Sequence, residues 1–242
     1  MTGAPAIEEK QRQFNAAMER HEQKAVYQAI GKAVSLANVS LQAYSLALVL
    51  PLSIGWSMQA LAFIAAYAAA DLVNGLVHLY MDNNDDYASP AGPLIAAFHL
   101  HHRTPVYKKN PLAVVCFNES GSKNWLVGYL LLAVVLIRTG TVPPGAAWTM
   151  VYVGILSSVA EVSHYCCHTV DGRMTDLLRK AGLFLCKKHH ARHHLNDNVS
   201  YAFLNGMTNP LLDIIANWFF SGYKNTTDLH YAAYTGQGTA NR

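Results

Sequence analysis

The chain has 242 residues, of which 52% are hydrophobic and 14% are charged, with 18 Lys and Arg against 15 Asp and Glu. Soluble proteins carry about 25% charged residues, so this composition argues against a disordered chain, a coiled coil and an ordinary soluble enzyme. A net charge of +3, spread along the chain, also argues against a nucleic-acid surface. The composition therefore indicates a membrane protein, and it includes 12 histidines.

The first 32 residues are polar and mixed in charge, so they do not have the form of a cleaved signal peptide. Apolar residues recur in this segment at helical spacing. They predict an amphipathic cytoplasmic helix that lies either on a bilayer surface or on a neighbouring helix. The residues that carry this pattern are Ile7, Phe14, Met18, Val26 and Ile30.

Four apolar stretches follow, and each is close to the length of about 20 residues that crosses a bilayer as a helix. The first two are joined by a very short connection, and Pro143 and Pro144 predict a turn between the last two. The stretches are 33–56, 57–80, 125–142 and 146–166. We therefore predict an all-α integral membrane domain over 33–222, with about four transmembrane helices in two hairpins, followed by a C-terminal tail over 223–242.

The positive charges predict how this domain is oriented. They occur in the N-terminal segment, in the 81–124 loop and after residue 168, whereas the hairpin tips carry only Arg138. By the positive-inside rule, both termini and the middle loop face the cytoplasm of a bacterial inner membrane or an endoplasmic reticulum. Several of these charges could attract lipid phosphates or an acidic protein partner, namely Arg103, Lys108, Lys109, Lys187 and Lys188.

Ten of the histidines lie in four short windows, and the predicted topology places all four windows at the cytoplasmic surface. Two windows end the second and fourth spans, and in each of them the spacing puts the side chains on one helix face. We interpret His21, His99 and His230 as ordinary hydrogen-bonded interfacial side chains. The windows contain His78 with Asp82; His99, His101 and His102; Glu161 with His164 and His168; and His189, His190, His193 and His194.

So many imidazoles at one place indicate bound metal. Clustered imidazoles repel one another when they protonate near pH 6.5, and an unpaired buried nitrogen costs roughly 1–3 kcal/mol. One zinc ion takes at most four ligands, so eight or nine histidines indicate two ions, while imidazole suits iron, copper, nickel and zinc alike. The predicted ligands are His78, His101, His102, His164, His168, His189, His190, His193 and His194; all except His189 are also predicted catalytic residues, as is Asp82.

Polar residues one and two turns before His78 are candidates to support these ligands. Asp71 and Asn74 could hold the imidazole of His78, or they could make helix–helix hydrogen bonds within the membrane. Glu161 and His164 have the spacing of the Glu-x-x-His pairs in soluble di-iron proteins. Only one such pair occurs at the windows, which favours a histidine-dominated site.

The order of these motifs resembles the Kua-type lipid desaturase family, which includes plasmanylethanolamine desaturase and a bacterial carotenoid-regulatory relative. The resemblance covers about residues 60–220. The order of the four windows is specific to the family, although each histidine pair alone is weak evidence for it. The matching stretches are His78 with Asp82; His101 and His102 with Pro105; His164 with His168; 188–194; and Tyr201 with 205–211, which contains Asn205 and Asn209.

This resemblance implies a non-haem di-iron enzyme that desaturates an alkyl chain with O2 and electrons from an external donor such as cytochrome b5 or ferredoxin. The favoured substrate is a plasmanyl phospholipid, whose sn-1 alkyl ether becomes the vinyl ether of a plasmalogen. We also predict that Asp82 supports the ligands, together with Asp71, Asn74, Glu161, Asn205 and Asn209.

Other functions use similar residues. The same scaffold could desaturate fatty-acyl or phospholipid chains, or hydroxylate a lipid, which product analysis distinguishes because hydroxylation adds oxygen. A bis-histidine haem carrier would place histidine pairs across the membrane interior and would give a strong Soret absorption band. A divalent-metal transporter normally has ionisable ligands near the bilayer midplane, a depth that only Asp71 approaches.

Overall fold

The computed structural model describes residues 4–23, 25–103, 107, 109–169 and 172–222. Every regular element in these ranges is helical, which confirms the predicted all-α class. The helices are α1 (Ala4–Gln23), α2 (Ala25–Val49), α3 (Gly55–Asp82), α4 (Gly92–Arg103), α5 (Leu112–Glu119), α6 (Asn124–Arg138), α7 (Pro144–His168), α8 (Arg173–Lys180), α9 (Lys187–Leu195) and α10 (Asn209–Phe219), with a 3-10 turn at Ser120–Ser122 between α5 and α6.

Two of these helices, α3 and α7, are long and apolar enough to cross a membrane. A third candidate consists of α5, the 3-10 turn and α6 taken together, although the chain bends by 92° between its two parts. Helix α2 has 25 residues but is less apolar than these candidate spans. The described residues therefore contain two or three candidate spans, and the predicted count of four stays a prediction.

The predicted span boundaries need two corrections. Helix α2 ends at Val49 rather than near residue 56, because Pro51 lacks an amide hydrogen and a turn over 50–54 leads into α3. Helix α6 ends at Arg138 and has only 15 residues, which at 1.5 Å per residue gives about 22 Å. Alone, it is too short to cross a hydrocarbon core of about 30 Å.

Helix α7 lies at the centre of the bundle. It packs chiefly against α3, and also against α2, α5 and α6. Helices α2 and α3 are consecutive and converge near their connecting turn, where Val49 and Ala62 pack around Trp148. Farther along α2, the Gln42 amide donates hydrogen bonds to the Gly154 carbonyl at 3.1 Å and to Ser158 Oγ at 2.8 Å. The two helices that end in predicted ligands, α3 and α7, pack directly against each other.

The N-terminal helix α1 packs against α4. Phe14 and Met18 of α1 are buried against Ile95 and Ala96 of α4, so the structure places this segment on a neighbouring helix. Val26 and Ile30, which belong to α2, are exposed instead, and the side chain of Ile7 lies outside the described residues. The predicted domain limits at residues 32 and 222 stay predictions.

Candidate metal centre

All of the predicted ligands except His189 meet, together with Asp82, in two groups at the ends of α3 and α7. Within each group, one nitrogen or oxygen atom from every residue lies within 4.8 Å of the corresponding atoms of the others. We name them the five-histidine group and the Asp82 group. The first contains His101, His164, His168, His190 and His194, and the second contains His78, Asp82, His102 and His193.

Local helical geometry explains why these side chains converge. His78 and Asp82 end α3 and are four residues apart, and His164 and His168 have the same spacing at the end of α7. Residues four apart lie above one another on a helix, so each pair shares a face. Helix α4 packs against α3, and α9 packs against α7. These contacts bring the remaining five histidines to the same place.

The five-histidine group has a spacing that suits a metal ion. Nε2 of His168 lies 3.1 Å from Nε2 of His101 and 2.7 Å from Nε2 of His190, and the latter lies 2.9 Å from Nε2 of His194. Adjacent ligands of an ion with metal–nitrogen bonds of 2.0–2.1 Å lie roughly 3 Å apart. Nε2 of His164 is buried without a hydrogen-bond partner among the described residues. A metal ion would satisfy all of these nitrogens, so the donor set fits one.

The Asp82 group combines three imidazoles with one carboxylate. Asp82 is fully buried, and its oxygens lie 3.0 Å from His102 Nε2, 3.3 Å from His193 Nε2 and 3.5 Å from His78 Nε2. A buried carboxylate needs a compensating positive charge. A divalent cation bound by these four side chains would supply it.

The two groups adjoin. The rings of His102 and His194, one from each group, have centroids 4.7 Å apart, and those of His190 and His193 are 6.0 Å apart. Sites with two ions place them about 3.5–4 Å apart. Two groups whose rings lie this close to each other can hold two ions near enough to act together.

Burial keeps three imidazoles outside the spans uncharged. It lowers the pKa of His101 and of His194 from the ordinary value of 6.5 to about 2, and neighbouring histidines add to the effect. Burial also lowers the pKa of His190 well below its usual range. A neutral imidazole is the form that binds a metal, so these residues present nitrogen lone pairs at neutral pH.

Two backbone carbonyls orient histidines of the Asp82 group. Nδ1 of His78 lies 2.8 Å from the Tyr201 carbonyl oxygen, and Nδ1 of His193 lies 3.0 Å from that of Val199. Each Nδ1 therefore donates its proton to a carbonyl, which leaves Nε2 unprotonated and facing Asp82. Sequence reasoning missed Val199, and it noted Tyr201 only through the family resemblance.

The segment that supplies these carbonyls is held by α10. Asn198 and Ser200 have left-handed backbones, with φ values of 53° and 61°. The Asp213 carboxylate accepts a hydrogen bond from the Ser200 amide at 2.7 Å, and Asn209 Oδ1 accepts one from the Ala202 amide at 2.8 Å. These bonds stabilise a strained backbone beside the candidate centre. Asn209 thus contacts the backbone of this segment and not a ligand side chain.

Asp71 and Asn74 do not touch His78, so the predicted direct support is wrong. Asp71 instead accepts hydrogen bonds from the 204–208 segment. Asn74 bonds to Ser157 Oγ at 3.1 Å and accepts a hydrogen bond from Lys123 Nζ. Asn74 thus makes the helix–helix hydrogen bond that was the predicted alternative, whereas Asp71 holds a loop. The physical reason is that a backbone carbonyl already occupies Nδ1 of His78.

Glu161 forms a buried ion pair beside the five-histidine group. Its Oε1 lies 2.8 Å from Lys123 Nζ, while its Oε2 is 3.9 Å from Nδ1 of His164. Glu161 therefore contacts a ligand without belonging to either group. Asn205 lies farther out, where its side-chain amide donates to the Gly182 carbonyl at 3.0 Å.

The remaining histidines have different environments. His99 is buried, with one ring nitrogen 2.7 Å from the Tyr87 hydroxyl and the other 2.9 Å from the Met81 carbonyl, which confirms its predicted hydrogen-bonding role. His189 is exposed and belongs to neither group. Pro105, Lys108, His230, the tail over 223–242 and the side chain of Arg103 lie outside the described residues.

The contrast between His189 and His190 gives a first prediction. We expect His190→Ala to lower the metal content of the purified chain, because His190 faces the five-histidine group, and we expect His189→Ala to retain it. Both variants remove one imidazole from the same helix, so each controls for the other. Metal analysis by mass spectrometry measures the difference. Equal losses in the two variants would contradict the assignment.

Comparison with known proteins gives two matches. A family model described as a lipid desaturase domain matches residues 67–222, more than half of the chain. The chain is also similar to fatty acid desaturase 4, chloroplastic, from Arabidopsis thaliana, with 28% identity over 160 residues. That alignment covers 64% of this chain and 47% of the relative, so the chain spans about half the length of the curated relative it matches. No solved structure matches significantly.

Proposed function

The chain belongs to the lipid desaturase domain family, and from this premise we propose that it is an O2-dependent, membrane-bound desaturase with two iron ions. The family resemblance drawn from the histidine pattern is thereby confirmed. The observation that carries the proposal is the pair of adjoining ligand groups at the ends of two candidate membrane spans. A lipid chain from the bilayer can approach such a position directly.

The proposed reaction removes one hydrogen atom from each of two adjacent carbons and forms a double bond. Together with two electrons and two protons from outside, these hydrogens reduce O2 to two water molecules, so atoms and charge balance. Iron supplies the oxidising power to break unactivated C–H bonds, which zinc lacks because it has no redox chemistry. The electrons come from a separate carrier protein such as cytochrome b5 or ferredoxin.

The protein's own residues would orient and protect this chemistry. The Tyr201 and Val199 carbonyls fix the proton positions of His78 and His193, so that the ligand nitrogens face inward. The Asp82 carboxylate supplies negative charge to one ion, while the other group is uncharged. Burial of the Asp82 group, and of His164 and His190 in the other group, limits access of water to the reacting chain.

For the substrate, we propose a plasmanyl phospholipid whose sn-1 alkyl ether is converted to a vinyl ether. The support for this choice is the family resemblance of the histidine pattern. A second candidate, desaturation of a fatty-acyl chain, is favoured by the name of the Arabidopsis relative. Lipid mass spectrometry of cells with and without the chain separates them. An acid-labile vinyl ether supports the first, a new acyl double bond supports the second, and added oxygen indicates hydroxylation.

Loss of product is expected when any one of eight histidines is replaced by alanine. Each of these residues places a ligand atom in one of the two groups, and ligand loss from a paired site removes the cooperation of its ions. The variants should still be found in the membrane fraction, because the helices do not depend on the imidazoles. A fully active His164→Ala or His193→Ala chain would rule out the assignment.

We also propose that the metal centre and both termini face the cytoplasm. Support comes from the positive charges in the segments at that end of α3 and α7. Cys186 is an exposed free cysteine at the start of α9, beside the centre. A membrane-impermeant maleimide should therefore label Cys186 in inside-out vesicles, with Cys186→Ser as the control. Labelling of Cys186 in sealed right-side-out vesicles would show that the orientation is the opposite of the one proposed.

A further inference from the structure

Helix α10 has two apolar faces, and only one of them is packed. Leu212 and Ala216 are fully buried in a cluster with Leu79 of α3. On the opposite face, Leu211 is 49% exposed, Ile214 is 49% exposed and Trp218 is 78% exposed. These last three residues follow the i, i+3, i+7 spacing of a continuous helical stripe. We name them the α10 stripe.

The stripe is unusual for a surface in contact with water. Phe219 beside it is 72% exposed, and Met207, just before the helix, is 52% exposed. Contiguous exposed apolar residues of this size mark a contact with a membrane or a partner. At 11 residues, α10 is far too short to span a bilayer itself. A helix of this kind can lie along the interface of a membrane instead.

The position of α10 identifies the bilayer as its partner. The helix packs on the last turns of α3, so closely that a Cβ added at Gly75 would be 2.4 Å from Leu212 Cδ1. Helix α3 is a candidate span, and its residues Leu76 and Tyr80 are exposed at this same end. The α10 stripe therefore lies near the exposed apolar end of a candidate span.

The exposed aromatic residues at the two ends of α3 indicate where the membrane–water interfaces lie along this helix. Trp56 at its start is 90% exposed and Tyr80 at its end is 60% exposed. The two are separated by about 36 Å along a helix with a rise of 1.5 Å per residue, a distance between the thickness of the hydrocarbon core and that of the whole bilayer. Exposed tryptophan and tyrosine residues concentrate at the two membrane–water interfaces. Trp218 of α10 lies at the Tyr80 end.

We propose that α10 is an interfacial helix whose stripe is inserted among the lipids of the leaflet next to the metal centre. A second copy of the chain, or the 223–242 tail, could instead cover the stripe. The bilayer is favoured because the stripe adjoins the exposed end of a candidate span. The proposal does not depend on the reaction catalysed.

Fluorescence quenching by lipid-borne spin labels tests this position in the full chain, reconstituted in phosphatidylcholine nanodiscs. Trp218→Cys in a Cys186→Ser background is labelled with bimane, and the parent Cys186→Ser chain gives the background from the other cysteines. Glu9→Cys on α1, in the same background, places the label on an exposed polar face. A nitroxide on the acyl chain near the glycerol should quench the label at 218 at least about twice as strongly as it quenches the label at 9.

Two outcomes would overturn the proposal. In one, acyl-chain quenching is equal at 218 and 9. In the other, the label at 218 is shielded from both the lipid nitroxide and aqueous iodide, which would indicate a second chain or, if truncation after residue 222 restores iodide quenching, the tail.

A paired substitution tests the stripe itself. Ile214→Asp should reduce quenching of the label at 218 to the level seen at position 9, because a carboxylate disfavours insertion of the stripe. Ile214→Leu keeps the apolar surface and should retain full quenching. Strong quenching that is unchanged in the Ile214→Asp chain would show that the helix contacts lipid without help from its stripe, against the proposal.

Discussion

Replacement of Asp82 by Asn is expected to lower the metal content from about two ions per chain to about one, with loss of product. Asp82 is the only carboxylate in the two groups, and Asn has nearly the same shape without the charge. The five-histidine group keeps all of its ligands and should keep its ion. Loss of even a supporting residue lowers metal affinity 10–100-fold, so loss of a charged ligand should cost at least about 100-fold.

The same substitution is not expected to destabilise the metal-free protein. Without an ion, the Asp82 carboxylate remains fully buried, and desolvation of a buried charge is costly. Removing that charge should therefore leave the thermal midpoint of the metal-free chain unchanged or raise it. This sign separates a metal ligand from a purely structural residue, whose loss would lower the midpoint.

Asp85→Asn is the matched control, because Asp85 lies three residues farther along the chain and forms a partly exposed ion pair with Lys10 at 3.2 Å. It should retain both ions and full product. Metal analysis and product assays on the two purified variants check the prediction. If Asp82→Asn retains two ions and forms the normal amount of product, Asp82 is not a ligand of the metal centre.

The convergence of the histidines could be predicted from sequence because it depends mostly on local geometry. The i, i+4 spacing of His78 with Asp82, and of His164 with His168, fixes a shared face as soon as the segment is helical. The charge pattern and the apolar stretches then placed these helix ends together. Eight histidines and Asp82 accordingly lie where the sequence indicated.

What the sequence could not predict depends on tertiary packing. His189 and His190 are adjacent and chemically identical, and only the way α9 packs against α7 decides which one faces inward. The carbonyls of Val199 and Tyr201 carry no residue-specific signal, because every residue has one. The sequence also gives no sign that the chain bends by 92° between α5 and α6, at Lys123, a buried residue paired with Glu161.

Asp71→Ala is expected to have the largest effect on stability among the substitutions discussed. The Asp71 side chain is fully buried and accepts five hydrogen bonds from the 204–208 segment. The donors are the backbone amides of Leu204, Asn205, Gly206 and Thr208, at 3.0–3.2 Å, and the Thr208 hydroxyl at 2.7 Å. Hydrogen bonds to a charged acceptor contribute about 1.5–3 kcal/mol each and are not additive.

We expect Asp71→Ala to destabilise the chain by about 3–5 kcal/mol, as loss of one partner in a buried charged network does. For a chain of this size, that corresponds to a fall of roughly 10 °C in thermal midpoint, measured at a fixed scan rate in detergent. Metal content should fall as well, because the released segment is continuous with Tyr201, whose carbonyl holds His78.

Two variants make this prediction specific. Asp176→Ala removes an exposed carboxylate that pairs with Lys180 at 2.8 Å, and it should leave the midpoint unchanged. Asp71→Asn keeps one acceptor oxygen, so its thermal midpoint should lie between those of the original chain and Asp71→Ala. If Asp71→Ala keeps both its midpoint and its metal, the 204–208 segment does not depend on this carboxylate. The anchoring of the Tyr201 carbonyl would then have to come from α10 alone, through Asn209 and Asp213.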